Sequence, residues 1–364
     1  MTAEKKVISI IGAVGIPANY GGFETLVENL AIFHHKNEVS QKLIVYCSGV
    51  SYKVYSKSYL SCELRYVNIS ANGIASILYD GISIFSAAIR KSDYLLLLGV
   101  SGAISLPLIR LFYAGKIITN IDGVEWRRAK WKGFARWFLK FSERIAIRYS
   151  DKVIADNEAI ASYITLSYGI SSMVIPYGGD HSLEAEQKQP GLANIPSNYA
   201  FSVCRIEPEN NIHIILEAFS SNQRHSLVIV GNWRNSSYGK ELREKYSFFK
   251  HLILLEPIYD QGILNFFRSN AHVYVHGHSA GGTNPSLVEA MHYSIPIIAY
   301  DCAFNRYTTE NNCLYFSDVV TLKAQIEQVN TGGMKLMGER MKDIASKRYT
   351  WDVIAKSYFE LFVD

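Results

Sequence analysis

The sequence predicts an α/β protein made of two parallel-sheet domains, and three observations predict it. Strand-like and helix-like segments alternate from residue 7 onward. Strand candidates such as Tyr94–Leu98 are continuous apolar runs, as expected of a sheet buried on both faces. A polar stretch rich in Gly and Pro interrupts the alternation around residues 178–198, and the alternation then restarts. With 364 residues the chain exceeds one ordinary core and suits two.

In chain order, residues 7–12 read as a strand, followed by a glycine loop and a helix from Phe23 to about Phe33. Lys42–Tyr46 and Glu63–Val67 are strand candidates, Asn72–Ile89 has helical spacing, and Tyr94–Leu98, Lys116–Asn120 and Lys152–Ala155 continue the strands. Beyond the break come a strand at Ala200–Cys204, a helix from about Asn211, a strand at Leu227–Val230 and a helix after Ser236. A strand at Leu252–Leu255, a helix over Asp260–Arg268 and a short alternating strand at Ala271–Val275 follow. This ordering implies parallel sheets with helices on both faces, ligands at the carboxyl ends of the strands, and a central cleft faced by both domains. The expected divisions are a first domain over 1–178, a linker over 179–198, a second domain over 199–347, and a C-terminal helix over 348–364 that packs back on the first domain.

Composition narrows the function. With 48% hydrophobic and 19% charged residues the chain is globular, and a net charge of +4 at this length gives no general pull toward nucleic acid. The five cysteines are scattered with no C-x-x-C pair, which argues against a disulfide framework or a zinc site and for a reducing, cytoplasmic setting. The first residues run directly into a strand with no signal peptide, so none is expected. Sixteen uncharged residues lie between Asp93 and Arg110, short of the roughly 20 that cross a bilayer. Gly99, Ser101, Gly102, Ser105 and Pro107 interrupt them, so a strand, a turn and a short helix are expected there.

Four stretches carry chemistry. In His276-Gly-His-Ser-Ala-Gly-Gly-Thr-Asn-Pro-Ser286, a strand passes through a loop with Gly281 and Gly282 into a helix that Thr283 or Asn284 can cap. Small residues before a helix start expose N–H groups to an anion, and Glu289 lies just over one turn into that helix. His276 and His278 are two apart, not the spacing of a helical metal pair, so no metal is expected. The loop from Gly12 through Gly15 to Gly21-Gly22-Phe-Glu24-Thr25 follows the first strand and lacks both the dinucleotide and the P-loop patterns. It is either a tight turn or a close approach to a phosphate or sugar.

Asp122-Gly123 ends a strand, as a base or hydroxyl ligand or as an ordinary Asp-Gly turn. Arg205 follows the strand at 200–204, able to clamp a diphosphate or to pair with Glu207 or Glu209.

Positive charge concentrates in residues 125–149, with eight Lys or Arg (127, 128, 130, 132, 136, 140, 144, 148) against Glu125 and Glu143. Six of them recur every fourth residue, which costs a helix roughly 0.2–0.5 kcal/mol per like-charged pair. Trp131, Arg136, Trp137, Lys140 and Arg144 suit the headgroup layer of an anionic membrane, or else a solvated face over an aromatic core. Nucleic acid is the weaker fit, since only this stretch is basic.

With these residues in place, the chain resembles the retaining glycosyltransferases of family 4, of the two-domain GT-B fold, and within them the bacterial polysaccharide rhamnosyltransferase subgroup. Gly15-Ile-Pro-Ala-Asn-Tyr-Gly-Gly-Phe-Glu-Thr25, Asp122-Gly-Val-Glu-Trp126, Arg205-Ile-Glu-Pro-Glu-Asn210 and His276 through Ser286 with Glu289-Ala290 carry the resemblance.

It implies a metal-independent transfer with retention from a nucleotide sugar to a lipid-linked saccharide, by a cytoplasmic protein lying peripherally on the inner membrane face. No cofactor is implied. Gly15, Gly21, Gly22, Arg205, Asn210, Gly281, Gly282, Thr283, Asn284, Ser286 and Glu289 would contact the donor, Glu289 at the ribose, with Asp122 and Glu24 as the catalytic candidates on the acceptor side. The sequence departs from the family at Asn210, where a Lys is usual, and at Gly281, where a Glu is usual. The missing carboxylate fits a deoxy sugar, as in dTDP-rhamnose. A sugar-nucleotide epimerase and a non-catalytic subunit of a polysaccharide assembly are the alternatives.

Overall fold

The structure is a computed structural model that describes residues 5–18, 21–128, 131–192, 195–329 and 334–363. Contacts divide the chain into two compact units, Met1–Pro176 with Trp351–Asp364, and Tyr177–Thr350.

The first unit holds β1 (Val7–Ile11), β2 (Lys42–Ser48), β3 (Ser58–Tyr59), β4 (Cys62–Val67), β5 (Tyr94–Leu98), β6 (Lys116–Asn120), β7 (Lys152–Ala155) and β8 (Met173–Val174). Their order across the sheet is β3-β4-β2-β1-β5-β6-β7-β8, and only the β3–β4 pairing is antiparallel. Tyr94–Leu98 is apolar and buried at every residue, and β1, β2 and β6 are buried beyond their first residue, as expected of strands covered on both faces. Strand order reverses between β1 and β5, and in open α/β sheets that reversal opens a ligand crevice at the strands' carboxyl ends. The short β3 and β8 lie at the two edges and have too few residues for a periodicity signal.

The helix expected over 72–89 begins at Ala75, after Gly73 with φ 66. Residues 94–109 form β5, a 3-10 turn and the short helix Leu106–Ile109. No helix among the described residues is long and apolar enough to cross a membrane.

The terminal helix Trp351–Phe359 belongs to this unit. Phe359 stacks on Phe33 at 5.6 Å, and Asn120 Nδ2 donates to Tyr358 Oη at 2.7 Å.

The second unit holds β9 (Tyr199–Val203), β10 (Ser226–Val230), β11 (Leu252–Leu255), β12 (Val273–His276), β13 (Ile297–Tyr300) and β14 (Leu314–Phe316). All are parallel, in the order β11-β10-β9-β12-β13-β14. The two-residue period of a strand sends Val228 and Val230 into one core with Phe201 and Tyr274, and Leu227 and Ile229 into another with Ile215 and Phe219. Here strand order reverses between β9 and β12.

The stretch expected as a linker, 179–198, begins inside this unit. Gly179 donates to Tyr349 O, Ser182 is buried, and Tyr293 Oη donates to Ser182 O at 2.5 Å. Its polar composition hid these backbone contacts.

Candidate functional site

The two loops leaving the reversal point of the second sheet are the Arg205 stretch after β9 and the His276–Asn284 stretch after β12. Asn211 Nδ2 donates to Gly277 O at 2.9 Å, and Ser279 donates to Glu209 O through both its N–H and its hydroxyl, at 3.0 and 2.8 Å. Gly277 is required here, since a Cβ would collide with the carbonyl oxygen of Asn210. On the far side Asn305 Nδ2 donates to His278 O at 2.9 Å, so the β12 loop is anchored from both directions.

Arg205 is left half-exposed, with its Nη1 3.8 Å from Glu207 Oε1. That distance is too long for a hydrogen bond and leaves the guanidinium fork available to an anion. Asn210 behaves differently from expectation: it is buried, and its amide donates to Arg205 O at 2.7 Å. It shapes the loop that carries Arg205 and does not present its side chain to a donor.

Gly281 has φ 115, and a Cβ there would meet open space. Asn284 is the helix cap, accepting from Ser286 N at 3.1 Å and from Ser286 Oγ at 2.8 Å. The helix is only Pro285–Met291, so the macrodipole expected at its start is small, and the cap engages the Ser286 N–H and hydroxyl. Thr283 is buried.

Glu289 is the largest departure. It forms an ion pair with Arg268, and His181 Nε2 lies 3.4 Å from its other oxygen. Burial alone would raise its carboxyl pKa, but Arg268 and His181 hold it below the ordinary value. Sequence spacing gave no signal for this pairing, because Arg268 ends a different helix and His181 sits in the expected linker.

His276, at the end of β12, is fully buried, and neither ring nitrogen has a hydrogen-bond partner among the described residues. Burial pushes its pKa down to about 3, so the ring is neutral, and it stacks on His278 with centroids 4.4 Å apart. Among the described residues no His, Cys, Asp and Glu cluster could hold a metal.

In the first unit, Gly12 has φ 107, and a Cβ there would collide with Leu98 O at the end of β5. The first glycine loop therefore crosses the reversal point of its sheet. Glu24 folds back from the helix Gly22–Lys36 and accepts from Val14 N at 2.7 Å. Burial raises its pKa, against the Val14 hydrogen bond. Gly21, with φ 133, clears the Glu24 carboxylate, which any side chain at 21 would overlap. Gly15 also has positive φ, against Cys47 and Tyr52, while Gly22 begins the helix. Asn19 and Tyr20 of this motif lie outside the described residues.

Asp122 sits beyond β6 in the left-handed region at φ 58, a conformation that Asp tolerates better than most residues. Its N–H donates to Asn120 Oδ1 at 2.9 Å, and Asn120 in turn donates to Tyr358.

Residues 5–180 match a family described as a domain of unknown function (DUF1972), and residues 184–338 match Glycosyl transferases group 1. The second unit is a group 1 glycosyl transferase domain. No curated protein matches the chain. Among solved structures, the chain is similar to sucrose-phosphate synthase from Thermosynechococcus elongatus, with a TM-score of 0.82 at 15% identity over 98% of both chains. It is similar to HepE from Anabaena in complex with UDP and glucose, with 0.70 at 14% over 99% of both. A third is the catalytic domain of starch synthase IV from Arabidopsis thaliana bound to ADP and acarbose, with 0.69 at 13% over 98% of both. These likenesses show the fold, which is GT-B with two Rossmann-like parallel-sheet domains.

The glycosyl transferase domain thus contains Arg205, Asn210, Gly281, Gly282, Thr283, Asn284, Ser286 and Glu289, while Gly15, Gly21, Gly22, Glu24 and Asp122 belong to the other domain. The basic segment also lies outside the glycosyl transferase domain, as a 3-10 turn Glu125–Arg127 and a helix Gly133–Tyr149. Trp131 Nε1 donates to Glu125 Oε1 at 2.9 Å, so its indole is partly engaged, while Trp137 is 58% exposed. Lys130 lies outside the described residues.

Proposed function

We propose that the protein transfers a sugar from a nucleoside-diphosphate donor, held by the glycosyl transferase domain, to a saccharide acceptor bound by the first domain. The observation that carries this reading is the joining of the Arg205 and His276–Asn284 loops at the reversal point of the second sheet. Arg205 would meet the diphosphate, with the backbone of Gly281 and Gly282 beside it. As the anomeric carbon leaves the β-phosphate oxygen for an acceptor hydroxyl, negative charge grows on the diphosphate. A positioned cation stabilises that charge without reorganising. Asp122 is the candidate to hold the acceptor hydroxyl or take its proton, and Glu24 shapes the first glycine loop of the same domain. Glu289 would offer the ribose its second carboxylate oxygen, the one His181 Nε2 approaches at 3.4 Å, so the ribose hydroxyl would share that oxygen with His181.

Finer features rest on the resemblance: retention of configuration, independence from metal, a lipid-linked acceptor, and a peripheral position on the cytoplasmic face of the membrane. For the donor, dTDP-rhamnose is favoured by Gly281, since no carboxylate stands there for a hydroxyl and the space is open. HepE, with UDP and glucose bound, supports a sugar nucleotide as the donor class.

The test is a panel of dTDP-rhamnose, UDP-glucose and GDP-mannose, scored by release of nucleoside diphosphate. One donor, dTDP-rhamnose foremost, should be consumed, and Arg205→Ala should slow this about 10²-fold. A preference for UDP-glucose would remove the rhamnose reading. Consumption indifferent to Arg205→Ala would remove the placement of the diphosphate.

A further inference from the structure

Beside the helix Gly133–Tyr149 runs a groove of about 1410 Å³, floored by the start of β7 and walled by residues of the helix Glu158–Tyr168 and of 170–173. That volume exceeds the roughly 300–1,000 Å³ of ordinary small-molecule pockets, so an extended ligand fits it better than a compact one. Trp126 and Arg127 line the groove soon after Asp122 in the chain, and Met173 lines it at the sheet edge.

Its charge is uncompensated. Arg127, Lys140, Arg144, Arg148 and Lys152 line the groove with a single carboxylate, Asp151, which Arg110 and Lys116 already engage. Among the described residues no carboxylate lies within ion-pair distance of Arg127, Lys140, Arg144 or Arg148. The nearby buried Glu143 is satisfied by neutral donors, Tyr163 and Tyr168 hydroxyls at 2.6 Å each and Trp126 Nε1 at 3.4 Å. Arg127, Arg136 and Lys140 crowd the Trp126 ring at 5.2, 5.3 and 4.8 Å. Such a cluster persists at a cost to helix stability, which an anionic ligand would offset.

The second feature is an aromatic ladder. Phe134, Trp137 and Phe141 follow one another along the helix with centroids 5.6 and 5.5 Å apart, and Phe134 is 75% exposed. A free phosphate has no use for this apolar surface. Single-stranded nucleic acid would need open ring faces, whereas Trp137 and Phe141 stack on each other within 3°.

We infer that this groove binds a single lipid phosphate, the carrier of the acceptor saccharide, with its phosphate or diphosphate head against Lys140 and Arg144 and its chain along Trp137, Phe141 and Ile147. The acceptor role rests on the glycosyl-transfer reading above, while the binding itself does not.

The experiment is calorimetric titration of the full chain with farnesyl diphosphate as a monomeric probe, beside inorganic diphosphate, farnesol, phosphatidylglycerol vesicles and a thymidine oligonucleotide. Farnesyl diphosphate should bind at least about tenfold more tightly than either diphosphate or farnesol, and Lys140→Gln with Arg144→Gln should weaken it about tenfold or more. Trp137→Ala should weaken it too, with thermal midpoints confirming that both variants fold. Equal binding of inorganic diphosphate would leave only an anion site, and binding to vesicles without binding to the monomeric probe would mean a bilayer dock. Tighter binding of the oligonucleotide would mean nucleic acid. Each of these overturns the inference. Donor hydrolysis by the unmodified protein, measured alongside, separates the two failures, because hydrolysis without lipid binding sinks the groove alone.

Discussion

Arg268 and Glu289 pair inside the glycosyl transferase domain, with Arg268 only 2% exposed at its side chain and Glu289 13%. The pair joins the helix Gln261–Ser269 to the helix Pro285–Met291, and His181 adds the turn Asp180–Leu183. Arg268 Nε and Nη1 are buried without a hydrogen-bond partner among the described residues. The guanidinium therefore depends heavily on one carboxylate.

Removing that carboxylate should be costly. Glu289→Ala leaves a buried cation unpaired and should destabilise the domain by about 3–5 kcal/mol in urea unfolding. The sign with pH follows from the depressed carboxyl: its stabilisation is present above the unfolded pKa of about 4.3 and fades as pH falls through the lower folded value. Glu289→Gln should lose this acid-side dependence. A Glu289→Ala protein within about 1 kcal/mol of the parent would show that the pair does not hold the helices together.

Gly277→Ala tests whether the two switch-point loops must touch. The added methyl meets Asn210 O and lies 3.0 Å from Ile215 Cδ1, so overpacking of about 1–3 kcal/mol and weaker nucleotide binding are expected together. Gly281→Ala meets open space and carries only the strain of its positive φ. Equal stability and equal binding in Gly277→Ala would show that the contact is dispensable.

Asp80 in the first domain predicts a pH dependence of opposite sign. Burial raises its pKa to about 7, partly offset by the Gly102 N–H. A raised carboxyl favours folding most below its unfolded pKa of about 3.9, and that advantage is lost as pH rises through 7. Thermal midpoints should therefore fall from pH 4 to pH 8, and Asp80→Asn should flatten the fall. An unchanged slope in Asp80→Asn would assign the titration elsewhere.

Much of the fold was legible because parallel strands buried on both faces leave long apolar runs, as at Tyr94–Leu98 and Leu227–Val230. The loops of the candidate site were legible through glycines at strand ends, where Gly12 and Gly277 lie too close to backbone oxygens for any side chain. Partners distant in sequence were not legible. Nothing near Glu289 points to Arg268 or to His181, and nothing near Asp122 points to Tyr358. The amide of Asn210 looked like a donor contact, but burial turned it inward. Charge spacing in residues 125–149 announced a basic helix, while the groove needed Tyr163 and Tyr168 to satisfy Glu143.

On the proposed reading, the glycosyl transferase domain holds a nucleoside diphosphate on the loops 205–211 and 277–284. Hydrogen exchange of the full chain with and without dTDP or UDP measures this directly. Exchange should slow at those two loops, and the slowing should be lost in Arg205→Ala. Protection confined to the first domain, or none at concentrations that raise the thermal midpoint, would contradict it.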